Sequence, residues 1–176
     1  NILQGANVTN VQVQCGSTSY PVSGTVVGLV GQGFTLQING GSELLVGANG
    51  AIAFPAMADG SAYNVQVLSQ PTLPTQVCGI VNNKGTISGA AVSDVQVICS
   101  VQAYQISGYI AGLSGGTVTL VNNENNDEIM NVGNGFFNFA RLIPDGSAYS
   151  VSVKNQPLSP LQFCSVLNST GAISGG

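Results

Sequence analysis

Apolar and polar residues alternate along most of this chain with a period of two. One clear run ends the first half, where Val95, Val97 and Cys99 alternate with mostly polar neighbours. Such alternation is typical of β-strands that bury one face. Turn sequences such as Asn49-Gly50 and Asp59-Gly60 separate the runs and leave no room for a helix of ordinary length. The pattern therefore predicts an all-β fold.

The same pattern occurs twice. The run Asp59–Tyr63 recurs as Asp145–Tyr149, and Cys78 recurs as Cys164, in both cases 86 residues later. Tandem repeats of this kind predict consecutive units with the same fold. Seven short strands bounded by turns favour a β-sandwich in each unit. We therefore expect two tandem seven-stranded β-sandwiches, of which the second repeats only the first six strands.

The last predicted strand of the first repeat has a copy at the start of the chain and none at its end. We therefore assign residues 1–15 to an N-terminal donor strand, residues 16–99 to the first repeat, and residues 100–176 to the second repeat, which lacks its last strand. If a second copy followed Gly176 directly, its Cys15 would lie 27 residues after Cys164, compared with 21 from Cys78 to Cys99. The six additional residues favour a true N-terminus. An unpaired sheet edge can be completed by a strand from another molecule. The predicted donor-strand residues are Val8, Val11, Val13 and Cys15.

Composition and charge exclude several partners. Apolar residues make up 44 % of the chain and charged residues 6 %, so the chain is expected to fold. No apolar run approaches the ~20 residues of a spanning helix, so no membrane span is expected. With only Lys84, Arg141 and Lys154 as basic residues and a net charge of -4, the chain is not expected to bind nucleic acid. Low charge density also resists self-association weakly.

The start of the chain predicts an exported protein. Asn1 is followed by neither a basic region nor a hydrophobic signal core, so we expect that a signal peptide has already been removed. Asn, Gln, Ser and Thr supply most of the polarity, which suits an extracellular or cell-surface β-protein.

Both repeats contain residues that resemble carboxypeptidase-regulatory-like and Cna-B-like domains. The resemblance implies a transthyretin-like, Ig-like sandwich of the kind found in bacterial surface stalks. Cna-B-like domains often carry a Lys–Asn isopeptide bond, but the first strands here contain no Lys, so we do not expect that cross-link. The matching stretches are Val22–Val26, Asn49–Phe54 and Asp59–Val67 in the first repeat, and Asn134–Phe139 and Asp145–Val153 in the second.

The four cysteines are expected to form disulfides. Cys78 and Cys99 lie on the last two strands of the first repeat, so we predict an intrachain bond worth about 3 kcal/mol. Cys15 and Cys164 are the matching halves of a second bond, which we predict between subunits. Zinc is not expected because no short C-x2-4-C hook is present, and no C-x-x-C redox motif occurs.

Catalysis is not expected. The absence of His excludes Ser-His-Asp and Cys-His triads and His-ligated metal sites. Glu124, Asp127 and Glu128 lie in an Asn-rich loop that could hold Ca²⁺, although a solvated loop is the simpler interpretation. We expect no enzyme activity, no cofactor and no resident metal.

These observations lead to three functional hypotheses. The first is a subunit of an extracellular filament, pilus-like fibre or sheath, in which copies of the chain polymerise head to tail by donor-strand complementation with an inter-subunit disulfide. The second is a stalk fragment of a long repeat adhesin, whose units are covalently continuous. The third is a carbohydrate-binding module, disfavoured because the chain has no Trp and few aromatic residues. A surface or glycan ligand cannot be named from the sequence.

Overall fold

The computed structural model describes residues 10–123 and 127–175. Within these ranges the protein is all-β and contains no helix, which confirms the predicted fold class. None of the described residues belongs to a helix that is long and apolar enough to cross a membrane.

Within the described ranges, ten strands form the first unit and six form the second. The first unit contains β1 (Ser19–Tyr20), β2 (Val22–Val27), β3 (Thr35–Ile38), β4 (Ser42–Leu45), β5 (Gly50–Ala53), β6 (Met57–Ala58), β7 (Ala62–Ser69), β8 (Gln76–Val81), β9 (Lys84–Thr86) and β10 (Val92–Val101). The second unit contains β11 (Ala103–Ile110), β12 (Val118–Asn122), β13 (Asp127–Val132), β14 (Gly135–Pro144), β15 (Ala148–Asn155) and β16 (Thr170–Ala172).

The first unit is a sandwich of two four-stranded sheets, with strand orders β5-β2-β10-β8 and β4-β3-β7-β9, and its other two strands, β1 and β6, pair in a short antiparallel sheet. Its core is built from the inward residues of both sheets, including Val26, Leu36, Val65 and Val97. Strand β10 lies inside its sheet, where it pairs in parallel with β2 and antiparallel with β8. The closing strand predicted from the sequence is therefore central to the first sandwich.

Prolines explain why the first unit has more strand breaks than the second. Pro21 separates β1 from β2, and Pro55 lies between β5 and β6. Proline has no backbone N–H to donate to a sheet. The second unit has Gln105 and Ala140 at the corresponding positions, and β11 and β14 run without interruption.

The predicted strands do not include β6, β9 or β16. Strands β9 and β16 are short and fully exposed, and they pair with the edges of β7 and β15. Neither has an apolar alternation, because neither buries a side chain. Their place in the sheets follows from backbone pairing alone.

The second unit has sheets with strand orders β11-β14 and β13-β12-β15-β16. Its core is smaller: among the residues that the structure describes, five form its buried cluster, compared with sixteen in the first unit. The sequence predicts a strand containing Cys164 and Val166, and this prediction is wrong: the described chain has no strand between β15 and β16. In the first unit the matching strand pairs with β10, and no described strand of the second unit takes the place of β10.

A candidate strand-binding groove in the second unit

A groove of about 480 Å³ separates β11 from the segment 162–167. Apolar side chains of the core line it, including Ile110, Leu120, Phe137 and Val153. Cys164 lies on the opposite wall from β11. The groove therefore runs between one sheet edge and a segment that carries a thiol.

The groove occupies the position that β10 fills in the first unit. There, β10 pairs Val97 with Val26 of β2 on one side and Cys99 with Cys78 of β8 on the other. The residues that match these two partners in the second unit are Ile110 and Cys164, and both line the groove. The two walls of the groove therefore carry the counterparts of the residues that pair with β10 in the first unit.

A glutamine side chain holds the Cys164 wall in place although no strand pairs with it. Gln156 accepts the backbone N–H of Cys164 at 2.7 Å and donates to its carbonyl at 3.0 Å. In the first unit Gln70 makes the same two bonds to Cys78, at 2.8 and 3.2 Å. The backbone at Cys164 therefore already has the hydrogen bonds that Cys78 has in a complete sheet.

A second glutamine fixes the end of the groove. Gln162 accepts the N–H of Ser114 at 2.8 Å and donates to the carbonyl of Gly112 at 3.1 Å. Its counterpart Gln76 makes equivalent bonds to Val30 and Gly28 and is only 1 % exposed. Both glutamines of the first unit recur 86 residues later, and this repeat is the one signal in the sequence that could have pointed to them.

Two glycines show how closely a strand approaches at this position. A Cβ on Gly24 would lie 1.9 Å from the carbonyl oxygen of Val95, and one on Gly28 would lie 2.2 Å from that of Cys99. Only glycine allows β10 to come so near. The second unit also has glycine at both positions, and around Gly112 no heavy atom among the described residues would meet a Cβ within 4 Å. The groove therefore keeps space for a backbone beside Gly112, whereas a Cβ on Gly108 would lie 2.6 Å from the ring of Phe137, which must move when a strand enters.

The cysteines fall into a bonded pair and two free thiols. A disulfide joins Cys78 to Cys99 across β8 and β10, with the Cα atoms 4.0 Å apart, which is the intrachain pair expected from the sequence. Cys15 is a free, exposed thiol, and Cys164 is a free, half-buried thiol at the groove. The second expected pair is not bonded within this single chain.

The described part of the N-terminal segment, residues 10–18, has no strand partner among the described residues. Residues 10–18 belong to no strand, and Val11 and Val13 are 76 % and 83 % exposed. Val8, the remaining predicted donor residue, lies outside the described residues. An apolar alternation that is exposed to this extent has the pattern of a strand without the sheet that would bury it.

The calcium candidates do not form a cluster in the part of the chain that the structure describes. Glu128 makes an ion pair with Lys154, while the neighbouring Asp127 is buried on the opposite face of β13. Glu124 lies outside the described residues. No group of three or more His, Cys, Asp or Glu side chains that could hold a metal was found among the described residues.

Comparison with known proteins adds no relative: no protein-family model matches the chain, and no curated protein is significantly similar to it.

Proposed function

We propose that this protein is the structural subunit of an extracellular filament that assembles head to tail by strand donation. The N-terminal segment of one subunit inserts into the groove of the second unit of another. The observation that carries this proposal is that the groove lies where β10 lies in the first unit, while residues 11–15 match β10 itself. One chain therefore contains both the site and a copy of the strand that fits it.

The first unit supplies the register of the inserted strand. Shifted by 84 residues, Val95, Val97 and Cys99 correspond to the apolar residues of the donor segment. The strand runs parallel to β11 and antiparallel to the segment 162–167, as β10 does between β2 and β8. The expected pairs are Val11 with Gly108, Val13 with Ile110, and Cys15 with Cys164.

Insertion into the groove of the same chain is opposed by distance. Strand β2 is parallel to β10 and begins beside Val92, whereas the second unit follows the other end of β10 at Val101. That separation is about 30 Å along the strand. Only residues 16–18 connect Cys15 to β1, and three residues span at most about 10 Å. The donor and the acceptor therefore belong to different chains.

Strand donation stabilises the contact between subunits in two ways: it buries apolar side chains, and it allows a disulfide to form. Val11 and Val13 leave water, and each buried valine contributes about 1.5 to 3 kcal/mol. The inserted backbone satisfies the open edge of β11. Oxidation of Cys15 and Cys164 then yields a bond that does not dissociate without reduction.

In a stalk of a longer adhesin, residues continuous with the second unit would fill the same groove. The two hypotheses therefore share the groove and differ in the covalent link. In the filament this link is a disulfide between chains, whereas in the stalk it is the backbone itself.

Denaturing gels with and without reductant test the proposal. The oxidised, assembled protein is expected to run as a ladder or an unresolved polymer, and reduction is expected to collapse it to one band near 17.8 kDa. A single monomer band under both conditions would contradict covalent head-to-tail assembly.

Matched variants locate the link. Cys15→Ser and Cys164→Ser should each abolish the ladder, whereas the double variant Cys78→Ser/Cys99→Ser should retain it. A variant without residues 1–15 should form no filament and should keep the first unit folded, because that unit contains its own β10. Long filaments from this truncated variant would rule out strand donation.

A further inference from the structure

The junction between the two units of one chain is held by a small polar network. Asp145 donates its backbone N–H to the carbonyl of Gln102 at 2.8 Å, and Gln102 donates its own N–H to the carbonyl of Thr75 at 2.9 Å. The carboxylate of Asp145 accepts the N–H of Thr75 through Oδ2 and the N–H of Gly175 through Oδ1. One buried carboxylate in the β14–β15 turn of the second unit thus bonds to the β7–β8 loop of the first sandwich.

The start of the first unit contains the same arrangement with one partner fewer. Asp59 donates its backbone N–H to the carbonyl of Thr18 at 3.0 Å, and its Oδ1 accepts the N–H of Gly89 at 2.7 Å. These bonds match those of Asp145 with Gln102 and Gly175. Oδ2 of Asp59 has no donor among the described residues, and its side chain is exposed.

The chain also contains a second copy of the missing donor. Thr75 follows Pro74, and 86 residues later Leu161 follows Pro160. The loop around Leu161 keeps a backbone bond of its counterpart. The backbone N–H of Gln162 donates to the carbonyl of Pro157 at 3.3 Å, as that of Gln76 does to the carbonyl of Pro71 at 3.1 Å. Leu161 is 79 % exposed, and among the described residues its backbone pairs only in an isolated bridge with Leu158 of its own loop.

The spacing of the donor segment brings these two groups together. Gln102 lies three residues after Cys99, and Thr18 lies three residues after Cys15. When the donor segment occupies the groove in the register of β10, Thr18 therefore reaches the position of Gln102. Asp59 then faces the loop around Leu161 of the preceding subunit, as Asp145 faces Thr75.

We propose a second contact between subunits, which rests on the strand donation proposed above: the carboxylate of Asp59 accepts the backbone N–H of Leu161 from the preceding subunit. Thr18 donates its N–H to the carbonyl of the same Leu161. The junction between subunits is then a copy of the junction within each subunit. Every unit along the filament is related to the next in the same way, so the structural repeat is one unit rather than one chain.

Hydrogen exchange of the full-length protein before and after assembly tests this contact. Assembly should slow exchange of the Leu161 N–H by on the order of tenfold, because it gains a charged acceptor. In Asp59→Asn the new amide retains Oδ1 for Gly89 and places an NH₂ group where the acceptor was. This variant should still form the disulfide-linked ladder while its Leu161 N–H exchanges as in the unassembled protein.

Residues 163–167 of the groove wall provide the internal reference. They should be protected by assembly in both the wild type and Asp59→Asn, because they contact the inserted strand. Protection of 163–167 with no slowing at Leu161, or equal slowing of Leu161 in both proteins, would overturn the Asp59 contact and leave strand donation intact. If assembly protected neither Leu161 nor residues 163–167, both the Asp59 contact and strand donation would be overturned.

Asp94→Asn is the matched control. Asp94 is an exposed carboxylate on β10 of the same unit and is not part of the junction. The control should behave as the wild type at both places. If Asp59→Asn does not fold, the comparison of assembled with unassembled wild-type protein still decides whether Leu161 is protected.

Discussion

The two units have the same pattern of residues and differ in how completely they bury it. Val22 and Val26 on β2 are 0 % and 1 % exposed, whereas Ile106 and Ile110 on β11 are half-buried although both are larger. Cys78 is 4 % exposed, and its counterpart Cys164 is half-buried. Among the described residues, no strand equivalent to β10 lies on that side of the second unit. A single central strand therefore decides whether this sandwich closes its core.

The comparison also shows what does not depend on that strand. Gln156 and Gln162 hold the far wall of the groove in the second unit as Gln70 and Gln76 do in the first. These bonds use side-chain amides, so they form without any strand pairing. A groove whose wall is already in place loses less conformational freedom when a strand enters, which favours binding.

The largest effect is expected from the bond that only the first unit has. The double variant Cys78→Ser/Cys99→Ser should lower the free energy of unfolding of the first unit by about 3 kcal/mol, because the disulfide closes a loop of 21 residues. The exchange rates of β7 and β10 amides, measured as a function of denaturant, report this change.

Cys15→Ser/Cys164→Ser is the matched control, because both thiols are free in the single chain. This variant should alter the unfolding of the first unit by less than about 0.5 kcal/mol. An equal loss of the free energy of unfolding in both double variants would mean that the Cys78–Cys99 disulfide is not what stabilises the first unit.

The next largest effect is expected from a peptide that supplies the second unit with a copy of the strand that the first unit already contains. A peptide with the sequence of residues 7–15, carrying Ser in place of Cys15, should bind the variant that lacks residues 1–15. At a concentration 100 times its Kd it should stabilise the second unit by about 2.7 kcal/mol, since it binds only the folded groove.

The control peptide has Asn at Val11 and Val13, which removes the apolar side chains and keeps the backbone. It should stabilise the second unit much less. Stabilisation of the first unit, which already contains β10, would show that binding does not occur in the groove.

Most of the fold could be predicted from the sequence because strands that bury one face alternate apolar and polar residues. The alternation of Val95, Val97 and Cys99 identifies β10 and its N-terminal copy without any structure. Strand β9 could not be found in this way, since Lys84–Thr86 buries nothing. The parallel pairing of β10 with β2 was also not predictable, because periodicity carries no information on which strands are neighbours.

The candidate site was predictable only where it is apolar or contains cysteine. Cys164 and the donor valines stand out by their repeat positions, but Gln76 and Gln162 look like surface residues until their amides are seen to bond to distant backbone groups. The predicted strand at Cys164 failed for a related reason. Its residues have strand character, but a strand also requires a neighbour, and the described chain supplies none there.

The smallest effect concerns the aspartates that begin the equivalent turns of the two units. The backbone N–H of Thr75, followed by that of Gly175, lowers the pKa of Asp145 below its ordinary value. A lowered pKa means that the ionised form stabilises the fold. This contribution is complete above the unfolded value of about 3.9 and is lost as the pH falls through the lower folded value. Asp145→Asn should therefore be less stable at pH 6 and should lose less stability than the wild type between pH 4 and pH 2, as thermal unfolding followed by circular dichroism can measure. At pH 6, Asp59→Asn in unassembled protein should lower stability less than Asp145→Asn, because Oδ2 of Asp59 has no donor among the described residues of its own chain. If Asp59 gains the proposed partner in assembled protein, the losses of stability in the two variants should become more similar.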